Sequence, residues 1–260
     1  MVITLTTDFG YQDSFVGVMK GVIAGINPQA RVIDLTHGIP AQDILAGALT
    51  LRYSIQYFPR GTIHVAVIDP GVGSARRAIL VESGGNYFIG PDNGVLSLAL
   101  QGGNGNRITH LSNSAYHLQP TSATYHGRDI FAPVAAHLSL GVAPAAFGET
   151  LENMVRIELP AVIREAQRLH GEIIYIDGFG NLFTNIQRHD LTGIAEDRLE
   201  IILRSLRIIG LAANYSAVAE GDFAAVFNSW GLLEIALNRD NAQKRTGAKI
   251  ADRVEINFDA

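Results

Sequence analysis

The sequence of 260 residues contains no cysteine, which excludes disulfides, a thiolate nucleophile and zinc sites built on cysteine. Charged residues are also scarce, at 17% of the chain against about 25% in an average protein. There is no basic excess, because 20 Lys and Arg stand against 25 Asp and Glu, for a formal net charge of -5. Since a nucleic-acid surface needs clustered basic side chains, this balance argues against DNA or RNA as a partner.

Long apolar runs and a signal peptide are missing as well. No run approaches the ~18 residues of a membrane-spanning helix. The N-terminal segment contains Asp8 and Asp13 and lacks a basic start followed by an apolar stretch, unlike a signal peptide. Hydrophobic residues make up 47% of the chain, which is ample for a core. We therefore expect a globular cytoplasmic protein with no membrane partner.

In the first half of the chain, short apolar runs alternate with helical patterns up to about residue 141. The pattern predicts strands at 2–7, 30–36, 62–69 and 78–83, and helices at 13–26, 43–58, 93–101 and 128–141. Such alternation favours an α/β domain in which helices cover both faces of a largely parallel sheet.

The pattern changes after residue 142. An irregular stretch containing Pro144 and Pro160 is followed by strand-like runs, separated by Gly, Asn and Asp turns, with no long helical pattern among them. These runs are typical of a small antiparallel sheet or barrel. The sequence thus predicts an N-terminal α/β domain over 1–150, a linker over 151–167 and a smaller C-terminal antiparallel β-barrel domain over 168–260.

Carboxylates stand near the first predicted strand and helix. Asp8 directly follows the strand, so it lies at the carboxyl edge of the sheet, where α/β proteins collect ligands. A turn or capping role would explain Asp8 equally well. Asp13 and Ser14 are interpreted first as the N-cap of the first helix, a position that also offers backbone donors to a ligand.

A second charged cluster begins where the strand at 62–69 ends. Asp69 opens the loop Asp-Pro-Gly-Val-Gly-Ser, which leads to Arg76. An Asp–Arg pair keeps a carboxylate ionised and orients it, although a buried structural salt bridge is the competing interpretation. His126 stands beside Gly127 at the start of the last predicted helix, where it can point into a cleft or serve structure alone. The eight histidines show no metal-binding spacing, so we predict no metal site.

Two turns of the second domain also combine polar and aromatic residues. One contains Asp177, Phe179 and Asn181, and the other contains Ser229 and Trp230. Turn chemistry explains the Gly and Asn residues. An aromatic ring beside an amide would also suit an adenine.

In order, the motifs TTDFG, DPGVGSxR, YHGRD, DGFGN and NSWG resemble those of the S-adenosyl-L-methionine hydrolases (adenosine-forming). These enzymes are relatives of the adenosyl fluorinase and chlorinase. The resemblance covers almost the full chain. It implies S-adenosyl-L-methionine as substrate, adenosine and L-methionine as products, and no cofactor. It also implies a homotrimer whose sites lie between the N-terminal domain of one subunit and the C-terminal domain of its neighbour.

The resemblance also implies roles for single residues. Asp69, Arg76 and His126 match the hydrolase triad, and Asp8 matches the carboxylate that holds the ribose hydroxyls. Asp13 and Ser14 are added as candidate substrate contacts. Asp177, Phe179 and Asn181 match the segment that contacts the methionine amine and the adenine. Ser229 matches a contact to the methionine carboxylate. At Trp230 the sequence departs from the fluorinase, which carries Arg there.

The halogenating relatives differ at the proposed nucleophile site. They carry Tyr at the position of Asp69, and the fluorinase carries Ser at the position of Gly127. A carboxylate beside a halide is repulsive in a dry site, so Asp69 favours water. We expect water or hydroxide to attack the ribose 5′ carbon, with Asp69 or His126 accepting the proton. The alternatives are a metal-dependent hydrolase and a non-catalytic protein that binds adenosine or S-adenosylmethionine.

Overall fold

The computed structural model of the chain describes residues 1–100 and 105–258. The chain divides into two compact units, Met1–Ile157 and Glu158–Ala260. This division falls inside the segment 151–167, which the sequence analysis interprets as a linker. Across the described ranges, no helix combines the length and the apolar character that crossing a bilayer requires.

The described part of the first unit contains a seven-stranded sheet and three α-helices. The strands are β1 (Val2–Thr7), β2 (Arg31–Thr36), β3 (Ile63–Val67), β4 (Ala78–Ser83), β5 (Asn86–Pro91), β6 (Arg107–His110) and β7 (Thr150–Leu151), and the helices are α1 (Phe15–Ile26), α2 (Ile44–Ser54) and α3 (Ala132–Ser139).

The sheet of the first unit has the strand order β2-β1-β3-β5-β4-β6-β7. The pairs among β2, β1, β3 and β5 are parallel, whereas β4, β6 and β7 pair antiparallel. The expectation of a largely parallel sheet therefore holds for one half only. The reason is a tight hairpin between β4 and β5, in which Gly84 and Gly85 both have positive φ, at 59° and 81°. Such a two-residue turn reverses the chain, and the Gly-Gly pair is its sequence signal.

Helices cover both faces of this sheet, as the sequence predicts. Ile3 and Leu5 share one core with buried residues of α1 and α3. Alternate residues of a strand point to opposite faces, so Ile68 points away from that core. On that other side α2 packs so closely that a Cβ added to Gly47 would lie 2.8 Å from Ile68 Cδ1.

The helix expected at 93–101 is not formed over its described part. That part contains only a short 3-10 helix, Ser97–Ala99, and residue 101 lies outside the described residues. Gly94 has a φ of 99°, which no α-helix can contain, and it ends the helical path at its start.

In the second unit an eight-stranded antiparallel sheet surrounds its own core. Its described elements are β8 (Ile163–Arg164), β9 (Arg168–Ile176), β10 (Leu182–Gln187), β11 (Glu200–Leu203), β12 (Leu206–Ile209), β13 (Phe223–Phe227), β14 (Leu232–Leu237), α4 (Ala242–Thr246) and β15 (Arg253–Asn257).

The second sheet has the order β12-β11-β15-β9-β10-β14-β13, and β8 pairs with β9. Its end strands β12 and β13 contact each other, so the sheet curls into the expected barrel-like form. β11 and β12 form a hairpin. Arg204, with a φ of 55°, makes the turn between them, and a non-glycine residue in that conformation leaves little sequence signal.

Candidate active site

An Asp–Arg pair lies at the carboxyl end of β3, where the sequence predicts it. Arg76 donates from Nε to Asp69 Oδ1 over 2.8 Å, and its Nη2 donates to Asp69 Oδ2. The two side chains are only 9% and 6% exposed. This two-pronged geometry holds the carboxylate in one orientation.

The Gly-rich loop that joins Asp69 to Arg76 is held by its own hydrogen bonds. The Ser74 hydroxyl donates to the Gly71 carbonyl over 2.7 Å and accepts from the Arg76 amide over 3.2 Å. Gly73 has a φ of 79°, and a Cβ added there would lie 2.4 Å from the Ala123 carbonyl oxygen. The loop therefore needs glycine at Gly73 to pack against its neighbour.

His126 completes the triad expected from the sequence. It immediately precedes a one-turn π-helix, Gly127–Phe131, and its Nδ1 lies 2.6 Å from Arg76 Nη2. A guanidinium can only donate, so Nδ1 accepts this hydrogen bond and carries no proton. Burial, followed by the charge of Arg76, lowers the pKa of His126. His126 is therefore neutral near pH 7, with its proton on Nε2.

The polar residues that follow His126 stabilise the π-helix. Asp129 accepts two hydrogen bonds from the Arg128 side chain and one from the Ser122 amide. Burial opposes ionisation, but these hydrogen bonds outweigh it and lower the pKa of Asp129. Arg76 also lies over the ring of Phe131, with 5.5 Å between the guanidinium carbon and the ring centroid.

A cavity of about 410 Å³ in the first unit brings several of the predicted residues together. Asp8, Asp69 and His126 line it, as do the aromatic residues Phe9, Phe15 and Tyr125. Asp8 is held in place because its Oδ2 accepts a hydrogen bond from the Gln42 backbone amide over 2.8 Å. The cavity thus combines two carboxylates and a neutral imidazole with an aromatic wall.

Asp13 and Ser14 lie elsewhere. Both are exposed at the beginning of α1, and within the described residues neither lines this cavity. Ser14 occupies the N-cap position, and its carbonyl accepts the Val18 amide over 2.9 Å. Its side chain makes no capping hydrogen bond in the described part of the chain, so the capping role expected for Ser14 is met by the backbone only.

The predicted residues of the second half line a cavity of their own, about 850 Å³ in size, within the second unit. Asp177, Phe179, Asn181 and Ser229 all contribute to its wall. The Asp177 carboxylate accepts the amides of Phe179 and Asn181 over 2.9 and 2.8 Å, together with the Asn181 side chain over 3.0 Å. This bonding leaves the Phe179 residue 80% exposed at the cavity.

Trp230 lies in an aromatic cluster. Its ring centroid is 5.0 Å from that of Tyr175 and 5.1 Å from that of Phe183. Phe183 also lines the cavity. In this chain, Trp230 thus supports the wall of the cavity through ring packing.

The sequence analysis missed two further residues of this cavity. Glu234 is completely buried in β14, and the Tyr215 hydroxyl donates to its Oε1 over 2.8 Å. The available signal was an acidic residue inside the apolar run Leu-Leu-Glu-Ile-Ala-Leu, since a buried charge needs a specific reason. Over the described ranges, no three or more His, Asp or Glu side chains form a group that could hold a metal ion.

Family models match both halves of the chain. Residues 3–148 match the SAM hydroxide adenosyltransferase N-terminal domain, and residues 171–255 match the C-terminal domain of the same family. A solved structure titled an uncharacterized conserved protein from Thermotoga maritima superposes with a TM-score of 0.90 at 33% identity, covering 98% of this chain and 99% of that one.

Curated relatives carry two different names. The (R)-S-adenosyl-L-methionine hydrolase of Salinispora tropica is 38% identical, over 98% of this chain and 97% of its own length. The protein of the same name from Thermus thermophilus is 36% identical over 94% of each chain. A fluorinase from an Actinoplanes species is more distant, at 26% identity over 91% of each chain.

Proposed function

The chain belongs to the SAM hydroxide adenosyltransferase family, and we infer from this membership that it is an enzyme that hydrolyses S-adenosyl-L-methionine to adenosine and L-methionine. The observation that carries the proposal is the Asp69–Arg76–His126 triad, whose Asp69 and His126 line one cavity together with Asp8. A carboxylate at the position of Asp69 favours water over a halide as the nucleophile.

The chemistry requires little of the protein beyond positioning. A water oxygen forms a bond to the ribose 5′ carbon, and the bond from that carbon to sulfur breaks. The electron pair of the broken bond returns to sulfur, so the sulfonium leaves as a neutral thioether and needs no protonation. Holding the water in line with this bond lowers the entropic part of the barrier. A dry pocket favours the step because positive charge on the substrate is lost.

We propose Asp69 as the group that takes the proton of the attacking water. His126 is unsuited because Nδ1 already accepts from Arg76 and Nε2 carries the proton of the neutral ring. Each Asp69 oxygen accepts one hydrogen bond from Arg76 and keeps a second lone pair for the water. The proton then passes to solvent. In this proposal His126 positions Arg76, and Asp8 accepts from the ribose hydroxyls.

The substrate's other parts are assigned to the cavity of the second unit. Phe179 offers a ring for the adenine to stack on, and Asn181 offers an amide edge, while Asp177 and Ser229 face the methionine portion. We also propose the assembly that the motif resemblance implies. It is a homotrimer in which a complete site combines the first unit of one subunit with the second unit of another. A cytoplasmic location belongs to the same proposal.

The test is incubation of the purified protein with S-adenosyl-L-methionine, followed by chromatography for adenosine and methionine. We expect adenosine to accumulate equally with and without a metal chelator. Loss of activity on chelation would favour the metal-dependent hydrolase, and tight substrate binding without turnover would favour a binding protein. A 5′-halogenated nucleoside formed in chloride or fluoride would point to a halogenase.

A further inference from the structure

The Glu234 carboxyl group in the second unit is buried with one oxygen unused. The residue is 0% exposed, and its Oε1 accepts from the Tyr215 hydroxyl over 2.8 Å. Its other oxygen, Oε2, is buried and has no partner at hydrogen-bond geometry among the described residues, and neither has Nδ2 of the neighbouring Asn228 amide, although that amide lowers the pKa of Glu234. A buried polar atom without a partner is costly, so it needs either a functional reason or a missing partner. Glu234 lines the 850 Å³ cavity, where a ligand can supply that partner.

The charged residues of the cavity wall around Glu234 are acidic, apart from Arg239. From the neighbouring strands β10 and β13, the uncharged residues Phe183 and Val226 lie opposite it. The other titratable or charged residues of the cavity wall are Asp177, Tyr215, Arg239 and Asp240.

The one basic side chain among these wall residues is not available to Glu234. Arg239 is 74% exposed and pairs with Glu220, while the exposed Asp240 pairs with Arg245. Two carboxylates of the described wall, Glu234 and Asp177, therefore have no ion-pair partner among the described residues, unlike Asp240. A compact hydrogen-bond donor with a positive charge, such as a primary ammonium, fits that surface.

We propose that Glu234 is a substrate-binding residue whose Oε2 accepts a hydrogen bond from the α-ammonium of S-adenosyl-L-methionine. The inference rests on the proposed function for the identity of the ligand. It adds to Asp177 a second carboxylate for the amino acid end of the substrate. An ammonium has three N–H donors, so two carboxylates can bind it at once. Tyr215 is a positioning residue, because its hydroxyl orients Glu234 from the opposite oxygen.

The proposal links substrate binding to proton release. Burial raises the pKa of Glu234, the Asp177 charge adds to the increase, and together they outweigh the Tyr215 hydroxyl and the Asn228 amide, which lower it. An arriving ammonium stabilises the ionised carboxylate and displaces any proton that Glu234 carries. The fraction of a proton released on binding should fall as pH rises.

The first experiment compares Glu234→Gln with the wild type on two substrates. One is S-adenosyl-L-methionine, and the other is its analogue with hydrogen in place of the α-ammonium. We expect the substitution to raise KM for the first substrate by about 10- to 100-fold, with kcat nearly unchanged. KM for the deaminated analogue should be the same in both proteins. The matched control is Glu196→Gln, a half-exposed glutamate of the same unit that pairs with Arg188, which should alter neither constant.

The second experiment measures binding and needs no turnover. The thioether S-adenosyl-L-homocysteine keeps the α-ammonium but lacks the sulfonium leaving group. Calorimetry of its binding in two buffers of different ionisation enthalpy counts the protons released. With this ligand we expect proton release from the wild type to increase as the pH of the titration is lowered, and no release with adenosine, which has no ammonium. In Glu234→Gln the release should disappear, while the adenosine Kd stays unchanged.

Several results would overturn the proposal. If Glu234→Gln weakens the binding of adenosine or of the deaminated analogue as much as that of the natural substrate, then Glu234 contacts the adenine or stabilises the fold instead. An unchanged KM for the natural substrate contradicts it as well, as does an affinity for the thioether that Glu234→Gln leaves unchanged. If the proposed function itself is wrong, the result differs: the wild type and the Glu234 variant alike form no adenosine.

Discussion

At the scale of single residues, the carboxylate of Asp69 carries the proposed chemistry. Asp69→Asn keeps the size of the side chain and removes the charge that takes up the water proton. We expect kcat to fall by about 10²- to 10⁴-fold, with a much smaller change in KM. The measurements are kcat, KM and the melting temperature on one preparation.

The control for Asp69 is Asp92, which forms the neighbouring ion pair with Arg77. Its side chain is 2% exposed, and within the described residues it does not line the cavity of the first unit. Asp92→Asn should lower the melting temperature and leave the turnover of folded protein unchanged. If Asp69→Asn behaves in the same way, Asp69 is a structural ion-pair partner, and the proposed mechanism is wrong.

We expect His64 to make the stability of the fold depend on pH in the acidic range. It lies on β3 with no exposed surface, its Nδ1 is 2.9 Å from the Thr4 hydroxyl, and its ring stacks on Phe88 at 5.2 Å. Burial lowers the pKa of His64 to about 4. The unfolded chain, where a histidine pKa is about 6.5, therefore binds the proton first as pH falls. The stabilising contribution is complete above pH ~6.5 and is lost between there and pH ~4.

We expect the free energy of unfolding to fall by about 2 kcal/mol between pH 7 and pH 5 through His64 alone. Urea unfolding at both pH values, on the wild type and on His64→Gln, isolates this contribution. The glutamine variant keeps a hydrogen-bonding group for Thr4 but cannot titrate. Equal losses in the two proteins would show that other groups cause the pH dependence.

At the scale of elements, the loop between Asp69 and Arg76 sets the orientation of the triad. Gly73→Ala places a methyl group 2.4 Å from the Ala123 carbonyl in addition to straining the backbone. We expect the loop to shift, with a loss of stability above ~1 kcal/mol and a fall in kcat, because Arg76 moves with the loop.

Gly61→Ala is the matched control for the loop. Gly61 has nearly the same φ, 81°, but a Cβ there would have no atom within 4 Å among the described residues. It should lose about 1 kcal/mol from backbone strain alone, with unchanged kcat. Denaturation curves and initial rates for both variants separate strain from displacement. A normal kcat in folded Gly73→Ala would mean that the packing of the loop against Ala123 is unimportant for the triad.

At the scale of the whole molecule, the proposed trimer predicts that two inactive proteins restore activity together. Asp69→Asn disables the first unit, and the double variant Phe179→Ala/Asn181→Ala disables the second. In a mixed trimer with sites between subunits, roughly a third of the sites combine two intact halves, because a cyclic trimer of two chain types has one such junction among three. Co-expression of two differently tagged chains, purification through both tags and an adenosine assay measure this.

The outcome separates the possible assemblies. Recovered activity in a species with the sedimentation mass of three chains supports the shared site. A mixed complex without activity would mean that each site is built within one chain. A monomeric wild type with full activity would contradict the trimer itself.

The local order of residues determined much of this protein. The alternation of apolar runs predicts β1, β2, β3, α1 and α2, because burial periodicity is a local property of the chain. The ordered motifs single out Asp69, Arg76 and His126 for a similar reason, since each motif is a short contiguous run of residues. The antiparallel half of the first sheet was harder to predict from the sequence, because it depends on one Gly-Gly turn that reverses the chain.

Only the tertiary structure decided the roles that depend on distant neighbours. Arg76 and His126 are 50 positions apart, and their hydrogen bond leaves Asp69 as the proton acceptor in the proposed mechanism. Ser14 and Asp8 are near each other in sequence, yet only Asp8 lines the cavity of the described first unit. Glu234 stands in an ordinary apolar strand, and its unused oxygen becomes visible only once the barrel buries it. Burial, tautomers and hydrogen-bond partners arise from packing between remote segments, so local sequence patterns do not contain them.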